Sequence, residues 1–142
     1  MHIPKDILLV DKPSGVTSFD VIRNLRKRTG IKKYGHAGTL DPLATGLMIF
    51  GVNAGTKKLT EYIKLDKEYI AEVLIGERRS TGDMEGEVLE EVEVAEISSK
   101  EISATLQTLT GAQKLPLSAY SAIKKDGKPM YKRAREAAKI GE

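Results

Sequence analysis

Apolar residues along the chain fall into short blocks that are separated by polar turn residues. Residues 7–10 (ILLV) and 47–52 (LMIFGV) are short apolar runs, which predict buried strands. Residues 88–94 combine valine and leucine with glutamate, as in an antiparallel strand with one face in solvent. Residues 68–75 (EYIAEVLI) alternate in part, so they also predict a strand.

A helix is predicted after the first strand. Thr17 offers an N-cap oxygen, and Asp20 lies three residues later, in the capping-box position. Gly30 then ends the segment in the manner of a C-terminal cap. The apolar stripe between the two caps consists of Val21, Ile22 and Leu25.

A second helix has the same signature. It begins after Ser98, with Glu101 as its capping-box partner, and it ends at Gly111. A short helix is predicted over residues 56–64, a polar loop over 78–86, and a basic helix near the end of the chain. Strands and helices follow one another irregularly, which indicates an α+β or mixed α/β fold.

Composition narrows the classes of protein. The 142 residues are enough for one ordinary domain, and the chain has no cysteine, so it forms no disulfide and has no thiolate chemistry. Two histidines, one of them His2, argue against a zinc site. No apolar run is long enough to span a membrane, and the first ten residues lack a signal-peptide pattern. A cytoplasmic enzyme or binding domain is expected.

The net charge of +3 is unevenly distributed. Residues 12–33 hold seven bases and one acid, and residues 122–139 hold seven bases and two acids. Between them, residues 83–101 contain eight acids and one lysine. This pattern favours a molecule with a cationic face that is suited to a polyanion, although solvated helix faces would give the same pattern.

The stretch GHAGTLDPLATG, residues 35–46, combines glycines with one acid, Asp41. Asp-Pro commonly opens a turn or a helix, with the aspartate as N-cap and Pro42 at the first helical position. Alternatively, the glycines let a ligand approach the backbone closely, and Thr39 and Thr45 hold the carboxylate by hydrogen bonds. An ionised acid placed in this way acts as a nucleophile or a base. His36 fits a metal ligand, a general base or a flat surface against a nucleobase.

Five segments together resemble the TruB family of tRNA pseudouridine synthases. They are LLVDKPSGVTS, GHAGTLDPLATG, KEYIAEVLIG, STGDMEG and YSAIKKDGKPMYKRAR, and they occur in the order and spacing of that family. The resemblance implies an α+β fold with a mixed, mainly antiparallel sheet flanked by helices. Family members carry a later G-T-Y-I-R-like motif that this chain lacks, so residues 1–142 are expected to be the N-terminal part of the catalytic domain. A thumb-like RNA-binding insertion is expected near residues 112–142.

The resemblance also assigns roles to residues. It implies that Asp41 is the catalytic nucleophile, which attacks C1′ of the ribose or C6 of the uracil ring, and that no metal or organic cofactor takes part. His36 matches a histidine that packs against bases around the target, and Tyr69 matches a tyrosine that stacks on the flipped base. Asp83 matches an acid beside the active site.

Each of these substrate-binding residues has a structural alternative. His36 can be a turn histidine that is satisfied by the backbone, Tyr69 a strand residue with one face in the core, and Asp83 an Asx-turn residue before a glycine. Lys12 and Lys124 match basic positions that approach RNA, and both can equally be solvated lysines.

The expected function is isomerisation of a uridine in the T-loop of tRNA to pseudouridine, although the 142-residue chain alone is expected to be inactive because the late motif is absent. The alternative is a non-catalytic RNA-binding or chaperone module for T-arm-like hairpins. A weaker option is a guide-RNA-dependent relative. The expected partner is tRNA, with no membrane, and the oligomeric state is left open.

Overall fold

A computed structural model describes residues 5–117, 119–121 and 123–140, and within the last range the side chains at 135 and 138–140 lie outside the description. Parts of the predicted thumb-like insertion and two cations of the second basic block, Arg135 and Lys139, therefore fall outside it. The chain divides into two compact units, Met1–Ile70 and Ala71–Glu142, and each is described by itself.

The first unit contains a three-stranded antiparallel sheet. Strands β1 (Ile7–Lys12), β2 (Tyr34–His36) and β3 (Gly46–Val52) lie in the order β1–β3–β2. In this register Leu8 lies opposite Phe50, and Val10 lies opposite Met48. The strands predicted from the two apolar runs are therefore confirmed.

Helix α1 (Ser18–Thr29) follows β1 and has the predicted caps. The Thr17 hydroxyl accepts a hydrogen bond from the amide of Asp20 at 3.1 Å, and the Asp20 carboxylate accepts one from the amide of Thr17 at 2.8 Å. Gly30 has φ 72° and donates to the carbonyl of Arg26, so it ends the helix in the left-handed conformation.

The core of this unit lies between α1 and the sheet. Val21 and Ile22 of α1 pack with Met48 and Phe50 of β3, and all four are buried. Burying a side chain of this size contributes about 1.5–3 kcal/mol. This cluster therefore fixes α1 against the sheet.

A 3₁₀ turn (Asn53–Lys57) and helix α2 (Leu59–Ile63) follow β3, where the sequence predicts a helix over 56–64. Gly55 makes this turn possible, because a Cβ at that position would lie 2.1 Å from the backbone oxygen of Asp6. The Lys58 ammonium lies 2.9 Å from the Asp6 carboxylate. The hydrogen bond from Lys58 lowers the pKa of Asp6.

The second unit begins with a hairpin. Strands β4 (Glu77–Arg79) and β5 (Val88–Glu91) pair antiparallel. The strand predicted over residues 88–94 is therefore present but shorter, and every residue of β5 is exposed, on both faces and not on one. The predicted polar loop over 78–86 starts later than expected, because Arg78 and Arg79 belong to β4.

Helix α3 (Ser99–Thr108) has the predicted capping box formed by Ser98 and Glu101. Hydrogen bonds from the hydroxyl and the amide of Ser98 lower the pKa of the Glu101 carboxyl. The apolar face of α3 is exposed, with Leu106 at 60%. None of the helices within the described ranges is long and apolar enough to cross a membrane.

The last part of the second unit is a second hairpin followed by a helix. Strands β6 (Lys124–Lys125) and β7 (Lys128–Pro129) pair antiparallel across Asp126 and Gly127, and both turn residues have positive φ. Such a pair forms the two-residue turn that matches strand twist. Helix α4 (Met130–Ile140) follows and confirms the basic helical pattern.

The prediction of a strand over residues 68–75 is wrong. In this segment Ile70 is 99% exposed, and residues 68–75 pair with no strand in the described part of the chain. An alternating pattern forms a strand only where another strand supplies hydrogen bonds. The α+β class is confirmed, and the strand pairs of the described residues are antiparallel.

Candidate active site

The acid singled out by the sequence lies on a connection between two paired strands of the first unit. His36 ends β2 opposite Phe50 of β3, and the amide of Ala37 extends the pairing by donating to the carbonyl of Ile49 at 2.9 Å. Residues 37–45 then form the Asp41 loop, which returns to the start of β3. The rigid strand pair therefore holds both ends of this loop.

Asp41 begins a turn within the loop. The amide of Ala44 donates to the carbonyl of Asp41 at 3.1 Å, and Pro42 occupies the second turn position, where its fixed φ is favoured. The turn alternative is therefore correct, and the helical N-cap alternative is wrong.

The carboxylate of Asp41 is exposed and makes no hydrogen bond or ion pair with any described residue. The prediction that Thr39 and Thr45 hold this carboxylate is therefore wrong, because neither hydroxyl makes a hydrogen bond with it. The lone pairs of the acid remain available to a substrate.

Lys12 fixes the backbone next to this acid. Its ammonium donates to the carbonyls of Pro13 and Val16 at 2.9 Å each, and to the carbonyl of Pro42 at 3.1 Å. The side chain is fully buried. Neither interpretation of Lys12 from the sequence is correct, because this lysine is not solvated and does not lie on an RNA-facing surface.

Further hydrogen bonds join the Asp41 loop to the turn between β1 and α1. The amide of Gly15 also donates to the Pro42 carbonyl, at 2.8 Å, and the Ser14 hydroxyl donates to the Leu43 carbonyl at 3.0 Å. On the other side of the acid, the hydroxyl of Ser18 lies 3.2 Å from both the amide and the carbonyl oxygen of Leu40. The backbone is thus anchored before and after Asp41.

No pattern in the sequence predicts that Ser14 or Ser18 takes part in this anchoring. A signal existed for Lys12, because this residue continues the inward-facing alternation of Leu8 and Val10 along β1. The serines gave no comparable signal, since their partners lie more than twenty residues away in sequence.

His36 is held by its own loop. Its Nδ1 donates to the carbonyl of Gly38 at 2.6 Å, which requires the proton to be on Nδ1. The ring packs edge-on against Phe50, with 6.3 Å between ring centroids. The alternative of a turn histidine satisfied by the backbone is therefore correct for Nδ1. Nε2 has no hydrogen-bond partner among the described residues.

A cavity of about 750 Å³ lies beside the Asp41 loop, within the first unit. Tyr69 lines it and is 68% exposed, so the alternative of a strand tyrosine with one face in the core is wrong. Leu40 and Leu43, on the two sides of Asp41, also line the cavity, but Asp41 and His36 do not. The structure therefore brings Tyr69 to the Asp41 loop, whereas the Asp41 carboxylate does not form part of the cavity wall.

Asp83 lies in the second unit, in the loop between β4 and β5. Its carboxylate accepts hydrogen bonds from the Thr81 hydroxyl at 2.6 Å and from the amide of Glu85 at 3.0 Å. This is the geometry of an Asx turn, so the structural alternative for Asp83 is correct. Asp83 also lines a cavity of about 340 Å³ within this unit. Across the described ranges, no three His, Asp or Glu side chains are grouped to hold a metal ion.

The second basic block is partly neutralised within its own unit. Arg133 pairs with Asp126 at 2.9 Å, and Lys128 pairs with Glu136. The hydrogen bond from Lys128 lowers the pKa of Glu136. Lys124 is exposed and makes no ion pair within the described residues, as expected of a solvated or RNA-facing lysine.

A family model described as TruB family pseudouridylate synthase (N terminal domain) matches residues 26–142. The chain therefore belongs to the TruB family, as its motifs indicate. It is 42% identical to the tRNA pseudouridine synthase B of Leifsonia xyli subsp. xyli, across 97% of this chain and 47% of that protein. It is 43% identical to the tRNA pseudouridine synthase B of Opitutus terrae, across 94% of this chain and 56% of that protein.

The chain spans about half the length of the curated relatives it matches. Among solved structures, an H/ACA RNP bound to a substrate RNA containing 2′-deoxyuridine matches 39% of this chain and 17% of its own, at 33% identity and a TM-score of 0.38. A TM-score of this size does not establish a common fold.

Proposed function

We propose that this chain is the nucleophile-bearing part of an enzyme that converts a uridine in the T-loop of tRNA to pseudouridine, with Asp41 as the nucleophile. Membership of the TruB family and the names of the relatives support the reaction class. The observation that carries the assignment is the state of Asp41. Its carboxylate is free and exposed, while the backbone on both sides is anchored.

The reaction breaks the bond between ribose C1′ and uracil N1, turns the base, and joins C1′ to C5. The proton on C5 is lost, and N1 gains one, so the reaction is an isomerisation. A carboxylate assists either by attacking C1′, which displaces the uracil, or by adding to C6 of the ring. Both routes need an available oxygen lone pair, and no described residue donates to the Asp41 carboxylate.

The cavity supplies a place for the base. A uridine in a stacked loop must be extruded, which costs a few kcal/mol. Stacking on an aromatic side chain contributes about 1–3 kcal/mol per base, which offsets much of that cost. Tyr69 is the aromatic residue we assign to this role, because it lines the cavity and is exposed. His36 supports the neighbouring bases through its free Nε2 edge. Asp83, in the second unit, stays a proposed substrate-binding residue.

The test measures release of tritium from 5-tritiated uridine in a T-arm transcript. It uses this chain, a chimera in which the chain replaces the matching part of the Leifsonia xyli protein, and that protein as positive control. Asp41→Asn is expected to abolish release and to leave RNA binding intact. Asp66→Asn is the control, because Asp66 is another acid of the first unit and lines the cavity beside the Asp41 loop. Activity that survives Asp41→Asn and is lost in Asp66→Asn contradicts the assignment.

A second candidate is a module that binds T-arm hairpins without catalysis. The observation that favours it is that the Asp41 carboxylate does not line the cavity. If this candidate is correct, the chimera binds the transcript and releases no tritium, with or without Asp41. Release by the chimera, together with its loss in Asp41→Asn, excludes this candidate.

A further inference from the structure

Helix α1 exposes one of the two phenylalanines of the chain. Phe50 is fully buried in the core, whereas Phe19 is 52% exposed. Single exposed apolar residues are common, so this exposure alone indicates nothing. The side chains around Phe19 are what distinguish it.

Two arginines stack on Phe19. The Cζ atoms of Arg23 and Arg26 each lie 5.8 Å from the centroid of its ring. The three residues are spaced four and three positions apart, which places them on one face of the helix. We call this set the α1 arginine patch. A guanidinium stacked on a ring keeps its in-plane N–H donors free for an anion.

Helix stability alone does not account for the patch. Cations in the last turn of a helix are stabilised by the helix dipole, and this explains bases at the end of α1. It explains neither an exposed ring in the first turn nor a stacked arginine one turn later. Arg23 also pairs with Asp20, whereas Arg26 forms no ion pair with any described residue. The patch therefore retains positive charge toward solvent.

The patch begins next to the Asp41 loop. Ser18, the residue before Phe19, contacts Leu40, the residue before Asp41. Successive side chains on a helix point about 100° apart, so Phe19 lies to the side of the loop and does not point into it. An RNA that places a nucleotide at Asp41 must leave the loop over a neighbouring surface, and the patch is such a surface.

We propose that the α1 arginine patch binds the phosphodiester backbone of the RNA beside the target nucleotide. The proposal rests on the proposed function in one respect, namely that RNA is the substrate. Guanidinium groups match phosphate oxygens by paired hydrogen bonds, and Phe19 limits the motion of the two groups before RNA arrives. A contact to phosphate does not depend on the identity of the bases, so the patch adds affinity without selecting the target uridine.

The test measures the affinity of this chain for a fluorescent T-arm hairpin across a series of KCl concentrations. Arg23→Gln/Arg26→Gln removes both charges and retains helix propensity. Its matched control is Lys57→Gln/Lys100→Gln, which removes two exposed charges elsewhere. Phe19→Leu retains apolar bulk without a ring. Circular dichroism verifies that each variant is folded.

The arginine double variant is expected to bind about tenfold more weakly than the control. Its salt slope should fall by about 1.4–1.8, because each phosphate contact contributes about 0.7–0.9. Phe19→Leu should weaken binding less, and without a change of slope. Equal affinity and slope in the arginine variant and the control overturn the proposal. It is also overturned if polyglutamate competes as well as RNA, since the patch is then a general anion surface, or if the chain binds no RNA.

A hairpin with cytidine at the target position separates this proposal from the proposed function. The arginine double variant should lose the same affinity for both hairpins, because the phosphates are present in each. Patch-dependent binding together with absent isomerisation by the chimera refutes the proposed function alone. If the chimera isomerises the uridine and the arginine double variant binds RNA with the same affinity and salt slope as its control, the patch proposal alone is refuted.

Discussion

Replacing Lys12 by methionine is the most direct perturbation of the Asp41 loop. Methionine has nearly the same length and is apolar, so it fills the buried site and removes only the charge and the donors. The Pro42 carbonyl keeps its hydrogen bond from Gly15 at 2.8 Å. The carbonyls of Pro13 and Val16 lose the ammonium, and no other described residue donates to them.

The expected loss of stability follows from these contacts. A hydrogen bond to a charged group contributes about 1.5–3 kcal/mol, so two that are not replaced represent about 3–6 kcal/mol. Burying an ammonium costs several kcal/mol, and methionine relieves part of that cost. Pro13 is exposed, so water can reach its carbonyl. We therefore expect Lys12→Met to lower the free energy of unfolding by about 2–4 kcal/mol.

Urea unfolding of the 142-residue chain measures this loss, and Lys32→Met is the control. Lys32 is an exposed cation of the same unit, and surface substitutions usually change stability by less than about 0.5 kcal/mol. Hydrogen exchange then locates the effect. In Lys12→Met, exchange should accelerate at the amides of Gly15, Leu40 and Ala44 more than in α1.

A Lys12→Met variant that unfolds at the same urea concentration as Lys32→Met refutes this reasoning. So does a loss of stability with unchanged exchange in the Asp41 loop, because the ammonium would then support the core and not the loop.

Three further predictions concern the first unit. Thr17→Ala should cost about 1 kcal/mol of unfolding free energy by removing the cap of α1. Its control is Thr60→Ala in α2, because Thr60 is exposed and its hydroxyl makes no hydrogen bond with a described residue. Gly55→Ala should cost about 3 kcal/mol or more, measured by thermal unfolding, because its Cβ meets the rigid backbone oxygen of Asp6. The ion pair lowers the pKa of Asp6 and raises that of Lys58. Its contribution to the free energy of unfolding is therefore lost as the pH falls below 3.8 or rises above 10.5. Lys58→Met should therefore reduce the melting temperature at neutral pH and leave it unchanged well below the pKa of Asp6.

The sequence predicts correctly the helix ends that are stabilised by contacts between residues close together in the chain. The capping boxes at Thr17 and Ser98 were identified because each partner lies three residues away. The strand over 68–75 failed for the opposite reason, since its existence depends on a partner that the alternating pattern does not specify. Tyr69 lies in this segment, and its proposed role comes from its motif and not from a strand, so the absence of a strand leaves that proposal in place.

In the candidate site, too, the features that depend on residues close in sequence are predictable and those that depend on distant backbone groups are not. The sequence drew attention to Asp41 and its turn, which depend on Pro42 and on glycines close by. It placed Lys12 on the surface, because a charged side chain is rarely buried without a carboxylate partner. Three backbone carbonyls replace that partner here, and carbonyls leave no trace in the side-chain sequence.

Anchoring the backbone of a nucleophile has a different chemical result from anchoring its carboxylate. A hydroxyl that donated to Asp41 would hold one carboxylate oxygen and favour the ionised form, and it would leave other lone pairs for the substrate. Hydrogen bonds to Leu40, Pro42 and Leu43 restrict the direction of the side chain without touching its oxygens. Reaction geometry is sensitive to displacements of about 1 Å, so such anchoring affects rate through the position of Asp41. Variants at Lys12 and Ser18 should therefore reduce turnover in the chimera more than they weaken RNA binding, whereas the α1 arginine variant should do the reverse.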